Sequence, residues 1–272
     1  MNRINNTFEE LKRRGEKALV GFVTAGDPDM HTSFDIVASM CRAGLDVLEL
    51  GVSFSDPTAD GPAIQRSSAR AIEKGTNLEA VLLMTARLRK ETEIPIILFS
   101  YYNPIYAYGN EKFYQDAVSA GADGVLTVDL PPEESDEMTG LWPGNNLALI
   151  RLIAPTTPIE RMKKIAEAAC GFIYLVSKTG VTGSSGLKTE SIERQLGSLR
   201  RVTSLPVCVG FGISTEDDVA TVASVADGVV IGSAFERLIE KNLNNPHIAS
   251  IISDQVGKYK AATENRAIKY HI

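Results

Sequence analysis

Three carboxylic acids lie close together in a segment that is typical of a buried strand followed by a turn-rich loop. Glu49 stands in the apolar run Val47–Leu50, and Asp56 and Asp60 follow in the next ten or so residues. A charge at the end of an apolar strand is costly unless it is paired or used chemically. The segment therefore points first to general acid–base chemistry.

Glu49 is the strongest of these three candidates. Strand alternation places Glu49 on the same face as Val47, and both faces of a strand covered on two sides are dry. Burial raises the pKa of a carboxylic acid towards neutrality, where the group can both donate and accept a proton. The structural alternative is a buried ion pair with a lysine or arginine, and strand-end position together with desolvation favours the functional interpretation.

Asp60 and Asp56 have common structural interpretations that the local pattern does not exclude. Asp60 precedes Gly61 and Pro62, and an aspartate there is typical of a helix N-cap. Asp56 precedes Pro57, as turn-forming aspartates often do. The local pattern alone assigns chemistry to neither residue.

Glycine-rich loops late in the chain indicate a phosphorylated substrate. They are the segment 178–186 after the sixth predicted strand, Gly210–Ser214 after the seventh, and Gly232–Ala234 after the eighth. Backbone N–H groups at a helix N-terminus attract phosphate, and barrels of parallel strands often bind it after strands seven and eight. Turns also require glycine, so it is the three loops together that carry the signal.

Aromatic side chains recur at or just past the predicted strand ends. They are Phe22, Phe54, Tyr101, Tyr102, Tyr174 and Phe211. Each alone fits ordinary packing, but together they would line the mouth of a barrel, where a flat apolar ligand could bind.

Alternating apolar runs and helical patterns position these residues. Eight runs read as strands, at Ala18–Val23, Val47–Leu50, Pro95–Ser100, Gly124–Val128, Leu147–Ile153, Phe172–Val176, Pro206–Val209 and Gly228–Ile231. Helical periodicity lies at His31–Ala43, Leu78–Glu91, Glu111–Ala120, Ile159–Ala169, Glu190–Val202 and Thr215–Ser224. We predict a single α/β domain over residues 1–272, a (β/α)8 TIM barrel with an extra N-terminal helix at Thr7–Arg14 and additional C-terminal helices that include Ile248–Tyr259.

Composition narrows the class of protein further. The 272 residues carry a net charge of −6, which argues against nucleic acid and anionic membranes as partners. No apolar run is long enough for a membrane span, and the polar start of the chain does not resemble a signal peptide. The three cysteines and three histidines are scattered, so we expect free thiols in a reducing, cytoplasmic compartment and no metal site.

Several longer motifs resemble one known family, the tryptophan synthase alpha subunits. The resemblance covers nearly the whole chain and is carried by the segments 21–28, 48–65, 101–105, 129–134, 154–157, 171–183, 210–213 and 232–234. It implies retro-aldol cleavage of indole-3-glycerol phosphate to indole and glyceraldehyde 3-phosphate. It also implies Glu49 as the acid–base group and Asp60 as the carboxylate on the indole nitrogen.

The resemblance implies further roles for residues around these two acids. Phosphate would be held by Gly183, Gly212, Gly232 and Ser233. The substrate would also meet Phe22, Tyr102, Tyr174, Phe211 and, on a closing lid, Thr182.

The same resemblance implies an α2β2 heterotetramer in which indole passes to a β subunit that carries pyridoxal phosphate. This chain would then hold no cofactor, and Asp56 with the loop near 103–109 would face the partner. Ser53 stands where proline is usual in the family, which frees a backbone angle in this loop.

Two alternatives remain open at this stage. One is another phosphate-binding barrel, such as an isomerase, which leaves Glu49 and Asp60 unexplained. The other is an idle subunit that only activates its partner, which has no need for a costly buried glutamate.

Overall fold

The computed structural model describes residues 3–177, 189–210 and 212–264. Eight parallel strands close into a barrel in sequence order, from β1 to β8 and back to β1. The strands are β1 (Ala18–Thr24), β2 (Val47–Gly51), β3 (Ile96–Ser100), β4 (Gly124–Thr127), β5 (Ala148–Ile153), β6 (Ile173–Val176), β7 (Val207–Gly210) and β8 (Gly228–Ile231). The predicted fold class is confirmed, and each predicted strand ends within one residue of the observed one.

Twelve helices accompany the strands in the described part of the chain. They are α1 (Arg3–Arg14), α2 (Met30–Arg42), α3 (Pro62–Glu73), α4 (Leu78–Leu88), α5 (Tyr102–Tyr108), α6 (Asn110–Ala120), α7 (Ser135–Thr139), α8 (Ile159–Glu167), α9 (Thr189–Leu199), α10 (Glu216–Ala223), α11 (Ser233–Lys241) and α12 (Ile248–Glu264). A short 3-10 turn, Pro132–Glu134, precedes α7. None of these helices is long and apolar enough to cross a bilayer.

The structure confirms a helix expected after the β2 loop and corrects a loop expected near 103–109. The helix expected to begin at Gly61 and Pro62 is confirmed as α3, and its buried face consists of small residues, Ala63, Ser67, Ser68 and Ala71. The segment of α5 was predicted as a loop near 103–109, and this was wrong. Its Pro104 lies in the first helical turn, where proline needs no intrahelical N–H bond.

The core has two layers, one inside the barrel and one between barrel and helices. The inner layer includes Val20, Val47, Ile97, Leu126, Ile150 and Val230. Glu49 shares the inward face of β2 with Val47, because successive side chains of a strand alternate. The Glu49 carboxyl therefore points into the barrel.

Helix α1 closes one end of the barrel. Its Ile4, Phe8 and Leu11 are buried against the inner layer, and the Phe8 ring lies 5.6 Å from the Phe172 ring, just before β6 begins. This end holds the N-termini of the strands, so the C-terminal ends and their loops form the opposite, accessible side.

Candidate active site

A cavity of about 250 Å³ opens at the C-terminal ends of the strands. Two of its walls are the starts of α3 and α11, and its floor is the inside of the barrel. Its lining includes Phe22, Glu49, Asp60, Phe99, Tyr174 and Ser233. Both candidate carboxyls and the predicted phosphate end therefore share one cavity.

Glu49 is completely buried at the inner end of this cavity. Neither of its carboxyl oxygens has a hydrogen-bond partner, so the ion-pair alternative is wrong for the described residues. Desolvation raises its pKa to about 8, and the group holds its proton at neutral pH. A neutral carboxyl without a partner is able to donate that proton to a ligand.

Asp60 lies at the rim of the cavity and does not cap α3. The N-cap residue is Gly61, and no side chain caps this helix, so the local N-cap interpretation of Asp60 is wrong. The Tyr101 hydroxyl donates a hydrogen bond to Asp60 Oδ2 at 3.1 Å and accepts one from the Ala59 N–H at 2.9 Å. Burial raises the pKa of Asp60 to about 6, although the Tyr101 hydrogen bond acts to lower it.

Aromatic rings form the apolar wall of the cavity. Phe22 on β1 meets Phe99 on β3 edge to face, with ring centroids 5.0 Å apart. Gly51 leaves room for Phe22, since a Cβ there would come within 2.7 Å of its ring. Tyr174 lies close enough to Glu49 that the carboxylate charge contributes to raising the pKa of the Tyr174 hydroxyl, after desolvation.

Three of the expected substrate contacts, Tyr102, Phe211 and Thr182, do not belong to the described cavity lining. Tyr102 begins α5 and packs against Tyr106, at 5.8 Å between ring centroids, in a separate surface depression. Its backbone N–H donates to the Asp129 carboxylate at 2.8 Å. Phe211, like Thr182 and Gly183, lies outside the described residues.

The phosphate-binding candidates Gly212, Gly232 and Ser233 all line the cavity. Gly212 has a positive φ of 73°, a conformation that favours glycine. Gly232 is the N-cap residue of α11 and no side-chain oxygen caps this helix. The N–H groups of its first turn, which have no partner within a helix, are therefore available to an anion.

The sequence did not single out two other lining residues. Phe99 could have been found, because it shares the inward face of β3 with Ile97. Arg237 of α11 also lines the cavity. A charged residue in an amphipathic helix normally indicates a solvent-facing position, so no sequence signal marked it.

Asp56 is exposed on the loop after β2, outside the cavity. Its carbonyl accepts the Thr58 N–H at 2.9 Å, in keeping with a turn. Ser53 at the start of this loop is buried, and its hydroxyl has no hydrogen-bond partner among the described residues. No group of three or more metal-ligating side chains occurs in the described ranges.

Comparison with known proteins identifies the family. A family model described as "Tryptophan synthase alpha chain" matches residues 8–264. The chain belongs to the tryptophan synthase alpha chain family. It is 64% identical to the alpha chain of Desulfosudis oleivorans, over 97% of this chain and 100% of that one, and 60% identical to that of Desulfatibacillum aliphaticivorans, over 97% and 99%.

Solved structures of alpha chains share this architecture. The tryptophan synthase subunit alpha from Legionella pneumophila superposes with a TM-score of 0.90 at 40% identity, covering 98% of this chain and 100% of that one. A tryptophan synthase chain from Mycobacterium tuberculosis superposes with a TM-score of 0.87 at 27% identity, over 97% and 99%.

Membership in the alpha chain family establishes the activity that the sequence motifs implied. As a member of this family, the chain is a lyase that cleaves indole-3-glycerol phosphate in tryptophan biosynthesis and works with a β subunit. The isomerase and idle-subunit alternatives are therefore both wrong.

Proposed function

We propose that Glu49 and Asp60 are the two carboxyls that carry out the cleavage of indole-3-glycerol phosphate by this chain. One observation carries the proposal: the fully buried, unpartnered Glu49 shares a cavity with Asp60. Two carboxyls whose surroundings give them different pKa values are suited to different roles in one reaction.

Glu49 acts first as an acid and then as a base. Its neutral carboxyl donates a proton to C3 of the indole, which turns the ring into an electron-accepting indolenine form. The resulting carboxylate then takes the proton of the hydroxyl next to the breaking bond. The carbon–carbon bond breaks, its electron pair returns to the ring, the aldehyde forms, and Glu49 has its proton back.

Asp60 accepts a hydrogen bond from the indole N–H and stabilises the positive charge that develops on the ring. Its pKa of about 6 leaves it ionised at neutral pH, as this role requires. The Tyr101 hydrogen bond holds the carboxylate towards the cavity. Charge stabilisation by a fixed group in a dry cavity is often a large contribution to catalysis.

The indole ring and the phosphate of the substrate fit the remaining walls of the cavity. The indole ring lies against Phe22 and Tyr174, with Tyr102 and Phe211 as further expected contacts. The phosphate is held by Gly183, Gly212, Gly232 and Ser233, and the Thr182 lid excludes water. Burial of the ring and exclusion of water strengthen the electrostatic contacts inside the cavity.

The product indole passes to the β subunit, which carries the pyridoxal phosphate, so this chain needs no cofactor of its own. The exposed Asp56 fits a position on the surface that faces this partner in an α2β2 complex. We place the protein in the cytoplasm, because its three cysteines are unpaired.

Substitution of the two carboxyls tests the catalytic proposal. We expect Glu49→Gln and Asp60→Asn each to lower kcat for indole release by roughly 100-fold or more, because neither amide can transfer the proton or supply the negative charge. Indole release from indole-3-glycerol phosphate is measured with and without the β subunit. Circular dichroism checks that the fold is retained.

The exposed Asp254 on α12 supplies the control, and Asp254→Asn should keep its activity within about twofold. If folded Glu49→Gln and Asp60→Asn variants both released indole at near wild-type rates, the proposal would be wrong.

A further inference from the structure

The cavity is bounded by two helices that approach it with their N-terminal ends. Asp60 and Gly61 lead into α3, and Gly232 and Ser233 begin α11. The first pair lies at the indole end and the second at the phosphate end of the proposed substrate position. The relative placement of α3 and α11 therefore sets the distance between the two ends of the site.

A buried carboxyl connects these helices below the cavity. Glu236 of α11 has no exposed surface, and its Oε1 accepts the Thr24 N–H at 2.6 Å. The Thr24 and Ser67 hydroxyls lie 2.7 Å apart, within hydrogen-bond distance. A chain of contacts thus runs from α11 through the end of β1 to α3.

An ionic contact connects the same helices nearer the surface. Arg70 of α3 donates to both oxygens of the buried Asp27 at 2.7 Å and lies 3.1 Å from Glu240 of α11. Arg66 donates to the two Glu240 oxygens at 2.6 and 2.7 Å. We call both sets of contacts together the α3–α11 bracket, made of Thr24, Asp27, Arg66, Ser67, Arg70, Glu236 and Glu240.

Stability alone does not account for a carboxyl in the position of Glu236. No N–H donor of the described residues reaches its Oε2, burial with nearby Asp27 raises its pKa to about 8, and a side-chain contact with Glu236 acts to lower the pKa of Asp27. An apolar side chain of similar volume would pack there without the cost of desolvating a polar group. A directed hydrogen bond adds what an apolar contact lacks, a fixed position for the helix.

We propose that the α3–α11 bracket is a positioning device, in which Glu236 fixes how far the phosphate donors of α11 lie from Asp60 and Glu49. The inference rests on the proposed function, because it uses the roles given there to Asp60 and Ser233. None of the bracket residues lines the cavity, so they act through the helices that they connect.

Loss of the bracket has a specific signature. A shift of α11 as a body leaves its own N–H groups intact, so a small phosphate ester still binds. A shift of α3 likewise leaves indole bound against Phe22 and Phe99. The intact substrate joins both ends covalently, so it alone is misaligned with Glu49, and misplacement by about 1 Å can cost a factor of 100.

Glu236→Met tests this signature, since methionine keeps the volume and removes both oxygens. We expect kcat/KM of the purified full chain for indole-3-glycerol phosphate to fall roughly 10- to 100-fold. The dissociation constants of glycerol 3-phosphate and of indole, measured separately, should change by less than about threefold. Glu236→Gln keeps an acceptor for the Thr24 N–H and should retain kcat/KM within about threefold.

Glu240→Gln probes the ionic contact without altering the core, because Glu240 is only partly buried. We expect its kcat/KM for indole-3-glycerol phosphate to fall about two- to fivefold, while the dissociation constants of glycerol 3-phosphate and indole again change little. Glu91→Gln is the matched control, because it removes a carboxylate that pairs with an arginine, Arg42 at 3.2 Å, away from the bracket. It should leave kcat/KM unchanged.

Two results would overturn the inference. One is a kcat/KM within twofold of wild type in folded Glu236→Met and Glu240→Gln chains. The other is a loss of glycerol 3-phosphate affinity as large as the loss of kcat/KM, which would place the effect in the phosphate site alone. Failure of the proposed function is distinguishable, because it appears as full activity in the Glu49→Gln and Asp60→Asn variants.

Discussion

Two carboxyls in one cavity differ in protonation because their immediate neighbours differ. Glu49 is completely buried and has no hydrogen-bond partner among the described residues, so desolvation raises its pKa to about 8. Asp60 is less buried, and the Tyr101 hydroxyl opposes the effect of desolvation, which leaves its pKa at about 6. Between these values the first group carries a proton and the second does not, as the proposed mechanism requires.

The pH dependence of kcat/KM should report these two groups. We expect kcat/KM to rise as Asp60 ionises near pH 6 and to fall as Glu49 ionises near pH 8. Tyr101→Phe removes the hydrogen bond that lowers the pKa of Asp60, so the rising limb should move to higher pH while the falling limb stays. Initial rates of indole release across pH 5 to 9 measure both limbs.

Tyr108→Phe is the matched control, because the Tyr108 hydroxyl also donates to a carboxylate, Asp116 at 2.6 Å, but outside the cavity. Its profile should match the wild type. A rising limb that does not move in Tyr101→Phe would assign that limb to the substrate phosphate and contradict the role of Asp60.

At the scale of single elements, the helix that follows the Gly212 loop has a complete N-terminal cap. The Thr215 hydroxyl accepts the Asp218 N–H at 3.1 Å, and the Asp218 carboxylate accepts the Thr215 and Ser214 N–H groups at 3.0 Å. This capping box satisfies donors at the start of α10 and holds the end of the loop.

Thr215→Ala should lower the free energy of unfolding by about 1 kcal/mol, because it leaves an N–H group of the first turn without its acceptor. Urea denaturation followed by circular dichroism measures the change. Thr221→Ala, inside the same helix, is the control and should be close to neutral. Equal effects of the two substitutions would show that the cap contributes nothing.

The sequence predicted best those elements whose buried residues form a run of apolar side chains. The eight strands are predominantly apolar runs, so their positions were clear. The start of α3 was indicated by Pro62, whereas α5 was wrongly predicted as a loop near 103–109. Glu49 could be picked out from its place in β2, whereas Asp60 needed the family resemblance, because its loop also fits a cap.

Glu236 could not have been found in this way. In the sequence it is one acid among the charged residues of α11, and only the packing of α11 against β1 buries it. Long-range contacts such as Glu236 to Thr24 join residues more than 200 positions apart, and no local pattern encodes them.

At the scale of the whole molecule, the end of the barrel opposite the cavity holds two largely buried carboxylates that are paired with cations. Towards the N-terminal ends of the strands, Lys260 of α12 lies 3.0 Å from Asp46, and Arg89 lies 2.7 Å from Asp123. These carboxylates are paired and also accept backbone N–H groups of Leu19 and Ile96. At the other end Glu49 has no partner, which fits the division between stability and catalysis in this fold.

That unpaired carboxyl gives global unfolding a definite response to pH. Below about pH 4.5 both the folded and the unfolded chain hold the proton of Glu49. As pH rises from there to about 8, the unfolded chain releases the proton while the folded chain keeps it, so the free energy of unfolding falls. The difference reaches a few kcal/mol, since each unit between the two pKa values is worth about 1.4 kcal/mol.

Glu49→Gln should remove this contribution, so that the variant gains stability relative to the wild type as pH rises from 5 to 8. The unpaired amide has a cost of its own, but that cost does not change with pH. Chemical denaturation at pH 5, 6.5 and 8 measures the trend, with the exposed Glu73→Gln as control. A constant difference between wild type and Glu49→Gln would contradict it. The carboxyl that enables the chemistry therefore costs the folded chain more stability in mild alkali than in mild acid.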